Sequence, residues 1–162
     1  MRLLLCLELF VMLVLANGAP VVAAGLFKVH WSAPVDGGRL WKDGRPILGE
    51  SKTWRGVVSG SLACGLFSMA TGLGFVFGGV FGLFGLAGDM LSSFIKRRLG
   101  LASSARAVAL DQIPEALLPM LLAMWWLPVS VWGVIVVVVL FTLSNIFASP
   151  VLYRLGIRRQ PH

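Results

Sequence analysis

Seven carboxylates in a chain of 162 residues make their positions informative: Glu8, Asp36, Asp43, Glu50, Asp89, Asp111 and Glu115. Asp89 stands among glycine and apolar neighbours at the expected end of an apolar helix and is followed by Ser92, Ser93, Lys96 and Arg97. On a helix turning about 100° per residue, Ser93 falls roughly 40° and Lys96 roughly 20° from Asp89. Acid, hydroxyl and cation therefore share a face. Such a face can hold a divalent metal on Asp89 and Ser93, with Lys96 neutralising a phosphate one turn nearer water. The competing account is a positive helix end, Lys96-Arg97-Arg98, whose side chains snorkel to the interface. It leaves Asp89 unexplained, because an unpaired carboxylate in apolar surroundings is costly.

The second cluster runs from Gly44 to Gly56, GRPILGESKTWRG. Gly44 and Gly49 have the GxxxxG spacing of a phosphate loop, but Glu50 and Ser51 intervene before Lys52-Thr53, so the frame fails. What survives is Lys52 and Arg55 three apart, with Ser51 and Thr53 hydroxyls at an expected helix start, where anions are favoured. A plain interfacial anchor built around Trp54 is the alternative. The hydrolase signals GxSxG and HExxH are absent. Cys6 and Cys64 make no metal-ligand or disulfide pattern and are expected as small apolar fillers, and His30 and His162 are isolated.

The elements that must carry these groups follow from composition. The chain is 57% hydrophobic, only 13% charged, and has a mean hydropathy of +0.87. A soluble domain carries about 25% charged residues, so the bilayer is the expected solvent. The net charge of +7 then needs no nucleic acid, since cytoplasmic loops collect Lys and Arg. Leu3 to Val22 is one apolar segment, its Glu8 unusual for a cleaved signal peptide. Gly56 to Gly88 lacks charged side chains and carries the turn signal Thr71-Gly72-Leu73-Gly74 near its middle. The gap from Glu115 to Arg154 is too long for one span and breaks at Leu127-Pro128, giving spans near 114–127 and 130–150. The expectation is an all-α integral membrane protein, a single membrane-embedded domain over 1–162, with five transmembrane helices and two cytoplasmic loops. Thirteen of the fourteen Lys and Arg then fall on one side, with Arg2 opposite, which places the N-terminus outside and both loops in the cytoplasm. Gly74, Gly78, Gly82, Gly85 and Gly88 form a ladder for close helix packing, a possible homodimer face.

Five short stretches, in this order on this hydropathy pattern, resemble the CDP-archaeol synthase family, membrane CTP transferases related to CDP-diacylglycerol synthases. They are Ala16-Asn17-Gly18-Ala19-Pro20, Pro34-Val35-Asp36-Gly37-Gly38, Gly49 to Gly56, Gly88-Asp89 through Arg98, and Leu110-Asp111-Gln112. The resemblance covers most of the chain. It implies Mg2+-dependent transfer of cytidylate from CTP to a lipid phosphate (phosphatidic acid or an unsaturated ether-lipid analogue). It further implies metal on Asp89 and Asp111, with Lys96 beside them in catalysis. Substrate contacts would come from Lys52, Thr53, Arg55, Ser93 and Arg97, and from Asn17 and Asp36 in the two earlier stretches. The Lys-Asp and His-Gly-Gly elements that the CDP-diacylglycerol relatives carry between the two Asp motifs are missing, and Ala102-Ser103-Ser104-Ala105 stands there instead. A CDP-alcohol phosphotransferase is disfavoured by the absence of its repeated Asp motif. The remaining alternative is a transporter or a scaffold whose basic loops bind lipid headgroups.

Overall fold

A computed structural model describes residues 3–102 and 110–154, with side chains as far as Phe147. Residues 103–109 and the tail from 155, which hold Ser103, Ser104, Arg106, Arg158, Arg159 and His162, lie outside the described residues, as does Arg2. Among the described residues five helices follow one another: α1 (Leu3–Phe27), α2 (Trp54–Ala70), α3 (Phe75–Arg98), α4 (Gln112–Trp126) and α5 (Val131–Arg154). Among the described residues the chain otherwise forms loops and two isolated antiparallel bridges.

Three boundaries differ from expectation, each for a local reason. α1 runs five residues past Val22, because nothing stops the helix before Lys28 and Trp31, both in left-handed backbone with φ of 47° and 56°. α2 begins at Trp54 rather than Gly56, since Thr53 is its N-cap and accepts a hydrogen bond from the Gly56 N–H at 3.2 Å. Most consequentially, α3 does not close at Asp89 but continues to Arg98, so the acid lies inside a helix. The turns at 71–74 and at Pro128 fall where expected, with Gly72 and Gly74 supplying positive φ (81° and 92°).

Helix lengths vary. α1 (25 residues) and α3 (24 residues) are long and apolar enough to cross a bilayer, and α5 contributes a shorter apolar stretch over Val131–Phe147. α2 and α4, at 17 and 15 residues, fall short of the roughly 20 needed for a full crossing. The expected five spans are thus five helices of unequal reach, α2 trimmed by its cap and turn and α4 by Asp111 and Pro128.

Packing is fixed by small residues. A Cβ placed on Gly78 would stand 2.4 Å from the Cys64 carbonyl oxygen, and one on Gly82 would stand 2.9 Å from Ser61 Cα, so α2 and α3 lie backbone to backbone. At the other end of the ladder a Cβ on Gly88 would meet the Pro114 carbonyl oxygen at 2.1 Å, pressing α3 against the first turn of α4. These glycines are used inside one chain, in the close helix packing expected of the ladder. α1 packs against α2, α3 and α5, and its Leu9, Met12 and Leu13 join Phe81, Met120 and Phe141 in the core. Cys6 and Cys64 are buried and free, as expected of fillers. Large apolar side chains such as Trp125, Trp132 and Leu3 point outward, an arrangement suited to lipid.

Candidate functional site

The loop between α1 and α2 is built around one carboxylate. Asp36 accepts from the backbone N–H of Gly38 at 2.9 Å, Leu48 at 2.8 Å and Gly49 at 3.1 Å. Partial burial alone would raise its pKa, and the donors from Leu48, Gly49 and Gly38 outweigh that, holding the carboxyl below the usual range. Antiparallel pairing of Pro34 with Thr53, with the Val35 N–H donating to the Lys52 carbonyl at 2.8 Å, closes the loop at its base. Lys52 is thereby held at the start of α2, and its ammonium reaches Asp89 of α3 at 2.6 Å.

A second pair involves the same helix. Lys96, two turns beyond Asp89 on α3, contacts Asp111 at the N-cap position of α4 at 2.7 Å. The close approach of Gly88 to Pro114 brings these helix segments together, so both carboxylates stand at the same end of the bundle. They are reachable from solvent, at 33% exposure for Asp89 and 26% for Asp111, whereas Lys96 is only 10% exposed. Ser93 is buried one turn from Asp89, and Arg97 is buried with its Nε lacking a partner. Asp89, Asp111, Lys52, Lys96, Ser93 and Arg97 are therefore gathered at one end.

Three of the other expected site residues hold backbone. Arg55 donates to the carbonyls of Lys28 at 2.9 Å and His30 at 2.7 Å, fastening the end of α1 to the start of α2. Thr53 caps α2, and Asp36 organises the loop. Asn17 lies within α1, donating to Asn145 of α5 at 3.4 Å.

Two features were not anticipated as parts of this region. One is a clamp at the end of α3. Arg98 pairs with Asp43, donates to the carbonyls of Arg45 and Pro46, and lies over the rings of Trp41 and Phe94 at 5.9 and 5.1 Å. Arg45 in return donates to the carbonyls of Arg97 at 3.4 Å and Arg98 at 2.9 Å, satisfying the helix terminus. The alternation Trp41-Lys42-Asp43-Gly44-Arg45 was the available signal. The other is Glu115, buried in the first turn of α4 beside Gly88; in the sequence it only bounded an uncharged stretch.

Among the described residues no group of three or more His, Cys, Asp or Glu gathers as a metal cage. Asp89 and Asp111 still supply the donor set that magnesium uses, since that ion is held by one or two carboxylates with phosphates and water completing its shell.

A helical bundle with apolar side chains turned outward and ion-paired carboxylates at one end has the build of an integral membrane protein. The family model "CarS-like: CDP-archaeol synthase" matches residues 2–77 and 66–162. A CDP-archaeol synthase of Sulfolobus acidocaldarius is 34% identical over 166 residues, 98% of each chain, and one of Hyperthermus butylicus is 44% identical over 104 residues, 60% of this chain and 59% of that relative's length. A solved structure described as an intramembrane enzyme for archaeal membrane lipid biosynthesis aligns with a TM-score of 0.72 at 32% identity, over 87% of this chain and 90% of the other. The chain belongs to the CDP-archaeol synthase family.

Proposed function

We propose that this protein transfers cytidylate from CTP to the phosphate of a membrane lipid, giving a CDP-lipid and pyrophosphate, in a Mg2+-dependent reaction. The observation that carries the reading is the paired arrangement Lys52–Asp89 and Lys96–Asp111 at one end of the bundle. It provides carboxylates that would hold a divalent cation and cations that would meet phosphates, the carboxylates at partly exposed positions. Family membership supports the same chemistry.

The lipid phosphate resembles a phosphoserine, with a second pKa near 6, so at neutral pH it is largely dianionic and needs no general base. One of its oxygens attacks the α-phosphorus of CTP in line, the bond from that phosphorus to the bridging oxygen breaks, and pyrophosphate leaves. The protein's task is to hold two anions together. Asp89 and Asp111 would hold magnesium, which supplies neutralisation of phosphate charge when bound. Lys52 and Lys96 offset charge on the phosphates, and Arg97 and Ser93 line the same end, the former with an Nε donor to offer. Arg55 and Thr53 serve by fixing where Lys52 starts, and Asp36 by setting the loop.

The charge asymmetry of the sequence supports an N-terminus outside and a site facing the cytoplasm. The acceptor is a phosphatidic acid or an unsaturated ether-lipid analogue.

Purified protein in liposomes, supplied with CTP, Mg2+ and each lipid phosphate in turn, is expected to release pyrophosphate with at least one of them. Silence with ester and ether acceptors alike would favour the headgroup-binding scaffold.

A further inference from the structure

The Lys52–Asp89 pair has an unusual construction for a site that must take a metal. The Lys52 ammonium meets Asp89 through one hydrogen bond of 2.6 Å, and the pair is open to solvent, at 19% and 33% exposure. The backbone under Lys52 is pinned, with its carbonyl accepting from Val35 at 2.8 Å and its N–H donating to Gly49 at 3.2 Å. Gly49 is itself held by Asp36. Only the four-carbon stem can swing, and a lysine stem rotates freely. Arg98 at the end of the same helix is the opposite case, its guanidinium fixed by a carboxylate, two carbonyls and two rings.

We propose that Lys52 is the resident counter-ion of Asp89, and that the site therefore admits a divalent cation and a nucleoside triphosphate as one complex in preference to either alone. This rests on the metal role given to Asp89 above. A free divalent cation arriving at Asp89 must displace the ammonium and leave it beside a like charge with no new acceptor. A free triphosphate meets a carboxylate whose lysine is already engaged. The complex satisfies both exchanges at once: the carboxylate turns to the metal and the ammonium to a phosphate oxygen, with no change in backbone. The consequence is a sign that ordinary substrate-binding lysines do not give. Removing Lys52 weakens nucleotide binding yet tightens metal binding.

The test uses the full chain in nanodiscs, with Mn2+ binding followed by electron paramagnetic resonance, alone and with a non-transferable α,β-methylene analogue of CTP. In Lys52→Met, Mn2+ alone is expected to bind about five-fold tighter than in the unsubstituted protein, and the Mn2+–analogue complex on the order of ten-fold weaker. Lys52→Arg is expected to retain the original metal affinity, because the cation is kept. Lys52→Gln provides a second neutral variant, and unchanged helical circular dichroism shows that each is folded. If the neutral variants bind Mn2+ no tighter while Asp89→Asn still abolishes binding of the Mn2+–analogue complex, the counter-ion role is overturned and the proposed function stands. If Asp89→Asn leaves that complex binding intact, the metal role of Asp89 falls and this inference falls with it.

Discussion

Two regions of α3 carry the same kinds of charge and use them in opposite ways. Around Asp89, an acid and a lysine meet through one hydrogen bond in a solvent-reachable place. Nine residues on, Arg98 is surrounded by Asp43, two backbone carbonyls, Trp41 and Phe94. The first arrangement can be exchanged for incoming charges. The second anchors the loop to the helix end, because a planar guanidinium with several partners and a stacked face loses little by staying. A bundle that handles two anions needs both: exchangeable partners where substrates come, and a fixed frame that keeps those partners in register.

Substitutions that separate the two regions sharpen that contrast. The largest effect is expected for Asp89→Asn, which should lower CDP-lipid formation by on the order of a thousand-fold while leaving thermal stability nearly unchanged, as measured by product assay and thermal unfolding in detergent. An intact rate would erase the distinction between the regions. Next comes Gly88→Ala, which puts a methyl against the Pro114 carbonyl at the helix crossing and is expected to destabilise the bundle by about 1–3 kcal/mol, lowering the melting temperature and the rate together. Arg98→Ala should do less and act differently: a lower melting temperature and about a ten-fold higher KM for CTP, with kcat largely kept, and partial rescue in Arg98→Lys.

The smallest effect is expected at Asp36. Its folded-state carboxyl lies below the unfolded value because donors from the loop outweigh burial. The stability it contributes is therefore present above the unfolded pKa of about 3.9 and is lost as pH falls through the depressed folded value. Asp36→Asn should cost about 1 kcal/mol or less at neutral pH. The gap between variant and parent should close only below about pH 4, as read from melting temperatures across a pH series.

Much of the architecture was legible in sequence because few signals compete in an apolar chain. Uncharged gaps located the helices, Pro128 and the Thr71–Gly74 turn divided them, Asp89 and Lys96 stood out as charges at an apolar boundary, and Asp111 was singled out by the family resemblance. Pairings were not legible. Lys52 and Asp89 are 37 positions apart, and helical spacing says nothing of which loop returns to which helix. The run Lys96-Arg97-Arg98 looked uniform, yet its members go to Asp111, to a buried position and to the loop clamp respectively, because successive residues on a helix point about 100° apart. Arg55 and Thr53 matched a phosphate pattern in type and spacing, whereas the structure gives them to helix ends. Motif residues at a helix start serve caps as readily as ligands, and only the fold separates the two uses.

The decisive measurement is a double-mutant cycle on CDP-lipid formation with Asp89→Asn, Asp111→Asn and both together, assayed at saturating Mg2+. If the two carboxylates act as one unit on the same phosphates, either single substitution should cost nearly as much as the pair, as for groups that work together in other active sites. Losses that simply multiply, or a full rate in either single variant, would contradict a shared site at this end of the bundle.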